Sequence, residues 1–207
     1  MINIQSYDEG LPISVIVPHV SRRDDFFNNY CLPSINACEP LEVIVVTDMG
    51  SAPKQRNIGL ENASQPLIIW IDDDVILPQN YLSTLHDAIK NYDVAYTGYM
   101  GIVLDPSTEP NHNFRIPTID FDYERLRSSN YISTMSLIRK SMAIKFDERL
   151  KRLQDWDLYL RMYKNGSTFI GVHNTYFMAC FFDKGLSSNN NISYQEALRI
   201  IKQKHKL

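Results

Sequence analysis

Residues 70–78, Trp-Ile-Asp-Asp-Asp-Val-Ile-Leu-Pro, set three carboxylates in a row, Asp72, Asp73 and Asp74, directly behind the apolar run Leu67 to Ile71. Adjacent carboxylates repel one another unless something cationic compensates them. A hard divalent ion would do so, because Mg²⁺ and Mn²⁺ prefer oxygen ligands and share them with phosphates. The aspartates would then be the protein's half of a nucleoside-diphosphate site. For one acidic cluster alone the ordinary alternative is a solvated turn, or a cap on the helix that Pro78 can begin. Two further polar clusters stand behind similar apolar runs: Pro18-His19 after Ile13 to Val17, and Thr47-Asp48-Met49-Gly50-Ser51 after Leu41 to Val46. In open α/β sheets ligands bind beyond the carboxyl ends of the strands, so three such clusters point to one site.

The elements that must carry these clusters are legible. Ile13 to Val17, Leu41 to Val46 and Leu67 to Ile71 are short, rich in Val and Ile, and read as strands buried on both faces, the first stopped by Pro18. Ser21 to Cys38, broken by Pro33, and Ala52 to Ala63 lie between them with helical patterning. Strand, helix, strand at this spacing predicts βαβ units, a parallel sheet and an α/β fold. A helix is expected over Pro78 to Ile89, with apolar residues at 81, 82, 85, 88 and 89. Residues 93–104 read as a strand pair or one bent strand, and Asp105 to Thr118 as a loop and candidate lid. Beyond it, Tyr131 to Arg139, Thr168 to Val172 and Thr175 to Phe182 are expected as strands added antiparallel, and Leu153 to Lys164 as a helix closed by Asn165-Gly166. Ser187 to Asn191 reads as a linker, and Ile192 to Leu207 as an amphipathic helix lying on the body.

Bulk composition removes several functions. The net charge is −3, far from the basic excess that marks a nucleic-acid-binding surface, so no nucleic-acid partner is expected. No apolar run approaches the roughly 18 residues of a membrane span, and the N-terminal residues lack a signal-peptide pattern, so a soluble, cytoplasmic chain is expected. Lys202, Lys204 and Lys206 on the last helix could touch an anionic membrane surface peripherally; a solvated helix end is the simpler reading. Cys31, Cys38 and Cys180 are odd in number and show no CxxC spacing, which predicts buried free thiols rather than disulfides or a zinc site.

Taken in order, "ISVIVP", "EVIVVTDMGS", "KQRNIGLENA", "PLIIWIDDDVILP", "FDERLKRLQDWDLYLRM" and "NG" resemble the layout of the family 2 glycosyltransferases with the GT-A fold, over residues 13 to 188. The resemblance implies an inverting, metal-dependent transferase that moves a sugar from a nucleotide-diphosphate sugar to a hydroxyl of a glycan, lipid-linked or protein-linked acceptor. It implies a Rossmann-like domain over 1–188, with a nucleotide half near 13–100 and an acceptor half near 101–188, followed by a terminal helix over 189–207. On the donor side it places Pro18, Asp48, Arg56, Asp72 and Asp73. Asp48 would accept a hydrogen bond from the base, and Arg56 would lie by the diphosphate. Asp74, favoured over Asp73, would hold Mn²⁺ or Mg²⁺, with Asp183 as a further candidate ligand or a turn residue. Asp155 would be the general base, which an acceptor hydroxyl needs because its own pKa is far above neutrality. An aspartate in the first turn of a helix is also favoured by the macrodipole alone.

Departures from the pattern bear on these roles. Gln154 stands where the family has Glu, Thr47 where it has the first acid of the turn, and His19-Val20 where it often has Thr-Tyr. Uridine is the favoured base, with thymidine and guanosine open. Trp156 and Tyr159 could stack on an acceptor sugar or face the core. The alternative to an enzyme is a non-catalytic sugar-nucleotide-binding or scaffolding module that keeps the fold. The chain could also be one domain of a longer protein.

Overall fold

The computed structural model of the chain describes residues 1–104, 113–182 and 192–207. Its first half runs through Ile2–Ser6 (β1), Leu11–His19 (β2), Asp24–Phe26 (α1), Leu32–Asn36 (α2), Pro40–Thr47 (β3), Ala52–Asn62 (α3), Leu67–Trp70 (β4), Val75–Ile76 (β5) and Tyr81–Ala88 (α4). The second half adds Val94–Tyr96 (β6), Tyr99–Val103 (β7), Phe114–Ile116 (β8), Tyr123–Ser128 (α5), Leu137–Arg139 (β9), Gln154–Lys164 (α6), Phe169–Gly171 (β10), Phe177–Phe181 (β11) and Tyr194–His205 (α7). The main sheet has the order β1-β3-β2-β4-β9-β6-β10; β2, β3, β4, β6 and β10 point one way, and β1 and β9 run against their neighbours. The mostly parallel α/β sheet expected from the sequence is therefore present, with its antiparallel strand β9 placed inside the sheet rather than at an edge.

The two-residue period of a strand explains why these runs, buried on both faces, are apolar at nearly every residue; Ser14 and Glu42, hydrogen-bonded to each other, are the exceptions in the central runs. Ile13, Val15 and Val17 of β2, Val43 and Val45 of β3, and Leu67 and Ile69 of β4 face one core layer, covered by Phe27, Cys31 and Ile35 and by Tyr81, Leu82 and Leu85 of α4. The residues between them, Ile16, Ile44, Val46, Ile68 and Trp70, face the other layer, filled by Trp156, Leu158 and Leu160 of α6 and closed by Ile201 of α7. α3 can lie close on the sheet only because Gly59 has no side chain, since a Cβ there would run into Ile16. A second sheet, β5-β11-β7-β8, stands at the carboxyl end of β4, where Cys180 donates its N–H to the Asp74 carbonyl at 2.8 Å.

Several expectations need correction. Pro18 does not stop β2, which continues to His19 in register with Thr47 of β3. The stretch from Ser21 to Asn36 is a chain of short 3₁₀, α and π turns rather than one helix. β1, α5 and β5 were not expected, and of Tyr131 to Arg139 only β9 is strand. The presumed loop Asp105 to Thr118 contains β8; its residues 105–112, like the linker Ser187 to Asn191, lie outside the described residues. No helix among the described residues is long and apolar enough to cross a membrane. The three cysteines are free and buried.

α7 is tied down by charge as well as by its apolar face. Ser193 caps its first turn by accepting from the Glu196 N–H at 3.1 Å. Asp157 of α6, fully buried, receives Arg161 Nε at 2.8 Å, Lys204 Nζ at 2.6 Å and His205 Nε2 at 2.8 Å. Lys204, read from sequence as solvated, therefore points inward, bridging Asp157 and Asp147. Burial alone would raise the Asp157 carboxyl, but the bonds from Lys204 and His205 and the charge of Arg161 hold it below the usual range. A group so depressed contributes stability above its unfolded pKa and loses it as pH falls through the folded value. Asp157→Ala removes the buried anion that Arg161, Lys204 and His205 bond, leaving Lys204 with Asp147 alone, and is expected to cost about 3–5 kcal/mol, read as a fall in denaturant midpoint at pH 7.

Candidate active site

The aspartate run forms the turn between β4 and β5, and the different burial of its three carboxylates decides which can do what. Asp73 turns inward and is 2% exposed. It accepts from His19 Nδ1 at 2.9 Å, Val20 N at 3.1 Å and Arg23 Nη1 at 2.5 Å. Asp72 and Asp74 turn the other way, with side chains 31% and 25% exposed. Asp72 pairs with Arg56 Nη2 at 2.6 Å, and Asp74 with Arg23 Nη1 at 2.9 Å. The cations that compensate the run within the chain itself are therefore Arg23, Arg56 and His19.

Their protonation follows from these partners. Burial opposes ionisation of Asp73, but the bond from His19 and the Arg23 guanidinium hold its carboxyl below the ordinary range. Asp74 is pushed up to about 7 by burial and by repulsion from Asp72 and Asp73, against the pull of Arg23. Burial works to lower His19, yet Asp73 on one ring nitrogen and Asp24 Oδ1 on the other, at 2.7 Å, raise it overall. The His19 ring stacks on Phe27 with centroids 4.3 Å apart.

Asp48 lies in the turn after β3 with φ +52° and is exposed. Its carboxylate accepts from the Ser21 hydroxyl and from Ser21 N at 3.3 Å, and the hydroxyl bond lowers its pKa. Pro18 is buried in β2 opposite Val46, so the accessible end of that strand is Val20 and Ser21 rather than Pro18.

Arg56, near the middle of α3, links the two sides of the site. It reaches Asp72 with one terminal nitrogen and, with the other, donates to Gln154 Oε1 at 3.1 Å, while its guanidinium lies 5.2 Å from the centre of the Phe146 ring. Its Nε is buried without a partner. Gln154 opens α6 and immediately precedes Asp155. The carboxyl of Asp155 accepts from Trp156 N at 2.9 Å and is raised by burial, against an Asn130 hydrogen bond and the Arg56 charge. Its charge also raises Tyr99 of β7, after the effect of burial on that ring. Trp156 and Tyr159 are core residues: the indole donates to the Leu126 carbonyl at 2.6 Å and the phenol to the Ser133 carbonyl at 2.8 Å.

The structure thus gathers Asp72, Asp73 and Asp74 with Arg56 and, through Gln154, Asp155. Asp183 lies outside the described residues. Sequence reading missed Arg23 and the role of His19, because their partners lie 50 or more residues away along the chain. Among the described residues no group of three or more His, Cys, Asp and Glu side chains is arranged to hold a metal. Two outward hard-oxygen donors still suit Mg²⁺ or Mn²⁺, which are commonly held by one or two carboxylates plus substrate phosphates. A cavity of about 200 Å³ between residues 147–152 and α7 is separate from this centre.

This architecture, with acidic groups at the carboxyl ends of a mostly parallel sheet and a half-buried aspartate in the first turn of α6, can be compared with known proteins. Residues 44–146, about half of the chain, match the family described as Glycosyl transferase family 2. Solved structures of S. aureus TarS share the architecture. Residues 1–349 in complex with UDP-GlcNAc superpose with a TM-score of 0.70 at 19% identity, covering 93% of this chain and 66% of that one. The same portion in complex with UDP gives 0.62 at 17%, covering 92% and 70%. A longer TarS chain gives 0.61 at 16%, covering 93% and 39%. No curated protein matches the chain. The chain belongs to the family 2 glycosyltransferases and has the GT-A fold. It spans about two thirds of the TarS portion that carries UDP-GlcNAc.

The opposite environments of neighbouring aspartates make a stability test. Asp73→Ala strips His19 and Arg23 of a buried anion and is expected to cost about 3–5 kcal/mol. Asp74→Asn removes a carboxylate whose charge the fold disfavours and is expected to stay within about 1 kcal/mol of the parent. Urea unfolding of both variants at pH 8 checks the contrast.

Proposed function

We propose that the chain is an inverting glycosyltransferase that moves a sugar from a nucleotide-diphosphate sugar, most favourably a UDP-sugar, to a hydroxyl of a glycan or glycoconjugate acceptor. The observation that carries this reading is the Arg56 bridge: one guanidinium contacts Asp72 of the acidic run and the Gln154 side chain beside Asp155. Donor side and base side are thereby joined in one network at the carboxyl ends of the strands, where an α/β sheet binds its ligands. The UDP and UDP-GlcNAc complexes of the structurally similar TarS favour uridine.

In this mechanism Asp48 accepts an N–H of the base from the turn after β3. Asp74, with Asp72 beside it on the donor side, would hold a divalent ion, which when bound would supply positive charge against the diphosphate leaving group. Arg56 adds a fixed positive charge on the same side. Asp155 takes the proton of the acceptor hydroxyl, which attacks the anomeric carbon from the face opposite the diphosphate and inverts it. Gln154 suits this arrangement, since its neutral amide satisfies Arg56 without adding a second negative charge beside the base. The acceptor half of the domain, near 101–188, is where a glycan, lipid-linked or protein-linked sugar docks, and a cytoplasmic site with peripheral membrane contact belongs to the same reading.

Calorimetric titration with UDP, GDP and dTDP, each with Mn²⁺ and again with EDTA, tests the donor site. Binding of UDP that EDTA weakens is expected; no binding of any nucleotide would instead favour a scaffolding module that keeps the fold. Asp155→Asn is expected to lower turnover by about 10²- to 10⁴-fold with UDP affinity intact. A raised base pKa also has a definite pH signature. The base must be ionised, so kcat is expected to fall as pH drops through a midpoint above the ordinary carboxylate range, which a pH–rate profile measures.

A further inference from the structure

Arg23 carries no role in the mechanism so far, yet it is nearly as buried as Arg56 and pairs with two aspartates of the run. Its Nη1 is shared between Asp73 at 2.5 Å and Asp74 at 2.9 Å, and its side chain is 11% exposed. The guanidinium carbon lies 5.7 Å from the centre of the Phe182 ring, which in turn meets Phe26 edge-on at 5.0 Å. The two ion pairs are not equivalent. Asp73 keeps His19 Nδ1 and Val20 N if Arg23 moves, whereas Arg23 is the one cationic side chain paired with Asp74 among the described residues. The bond to Asp74 is the exchangeable one.

We propose that Arg23 is the resident counter-ion of the donor site, which releases Asp74 to an incoming divalent cation and turns its guanidinium to the diphosphate, so that cation and nucleotide bind cooperatively. The inference rests on the donor-site reading above. Its physical basis is charge balance. Asp72, Asp73 and Asp74 are already paired with Arg23, Arg56 and His19, so a divalent ion arriving alone must displace from Asp74 a guanidinium that keeps only Asp73, an anion His19 and Val20 N already satisfy. A diphosphate arriving alone faces two outward carboxylates. Arriving together, the ion takes Asp74 and the diphosphate takes the freed guanidinium, whose planar fork matches phosphate oxygens. Neither ligand can pair all the charges by itself.

The test is calorimetry with Mn²⁺ alone, UDP alone and UDP in saturating Mn²⁺, on the parent chain, Arg23→Gln and Arg23→Lys, each verified as folded by circular dichroism. In the parent chain Mn²⁺ is expected to raise UDP affinity at least about 10-fold, within the usual range of coupling between sites. Arg23→Gln is expected to bind Mn²⁺ alone about 10-fold more tightly, since its competitor is gone, and to lose most of the coupling. Arg23→Lys keeps the competing charge, so its Mn²⁺ affinity should stay near the parent's while UDP binding in Mn²⁺ weakens for want of the fork. A parent chain that binds both ligands, with Arg23→Gln matching it in Mn²⁺ affinity and coupling, overturns the role of Arg23 alone. A parent chain that binds neither Mn²⁺ nor UDP overturns the donor-site reading and this inference with it.

Discussion

The buried carboxylate of Asp73 is the constraint on which the rest of the site depends. It ties the carboxyl end of β2, through His19 and Val20, to the turn after β4, and it collects Arg23 on the way. An anion at 2% exposure survives only when its donors are in place, and here three of them are. Its two neighbours in the turn stay partly exposed, Asp72 at 31% and Asp74 at 25% of the side chain. A run of three aspartates thereby becomes a pair of outward carboxylates resting on a structural one. Asp74 is left the least compensated, with burial and its two neighbours acting against its charge and a single guanidinium acting for it.

The second joint is Arg56. Its position follows from packing: Gly59, one turn further along α3, lets the helix sit against Ile16 of β2. That brings the guanidinium over Phe146 and within reach of both Asp72 and Gln154. A buried guanidinium held by one carboxylate and one amide keeps its charge mainly for the acidic run. Gln154, which from sequence looked like a lost acid, is an intact acceptor in this network, so its amide is no sign of decay.

How much of this was legible follows from the range over which each signal acts. β2, β3 and β4 were readable because strands buried on both faces are apolar at most positions, here all but Ser14 and Glu42 of the central runs, a purely local pattern. β1 was not, since Ile2-Asn3-Ile4-Gln5-Ser6 is a short edge strand whose pairing with β3 is visible only in the fold. β8 is three exposed residues on the edge of the second sheet, and Phe114 and Ile116 with Arg115 between them are too short a run to show a period. α5 did leave a signal, the Asp122 carboxylate that caps it by accepting from Arg125 N at 2.8 Å, but the helix is too short for a period. The acidic run and Arg56 were found through local motifs in the right order. Arg23 and His19 were not, because an ion pair spanning 50 residues leaves no mark on either short segment.

α6 shows how one element serves both stability and chemistry. Asp155 and Asp157 both lie in its first turn, where the helix dipole favours either carboxylate equally. Their surroundings then separate them. Asp157 meets Arg161, Lys204 and His205 and is held ionised, while Asp155 has an amide, its own helix N–H and a more distant guanidinium, and burial raises it. Two carboxylates pushed apart in this way are the usual division between a structural anion and a proton acceptor. The division depends on α7, because two of the three side-chain donors on Asp157, Lys204 and His205, come from that helix. The docked C-terminal helix therefore does more than cover apolar surface: by bonding Asp157 through Lys204 and His205 it anchors the turn that also carries Asp155.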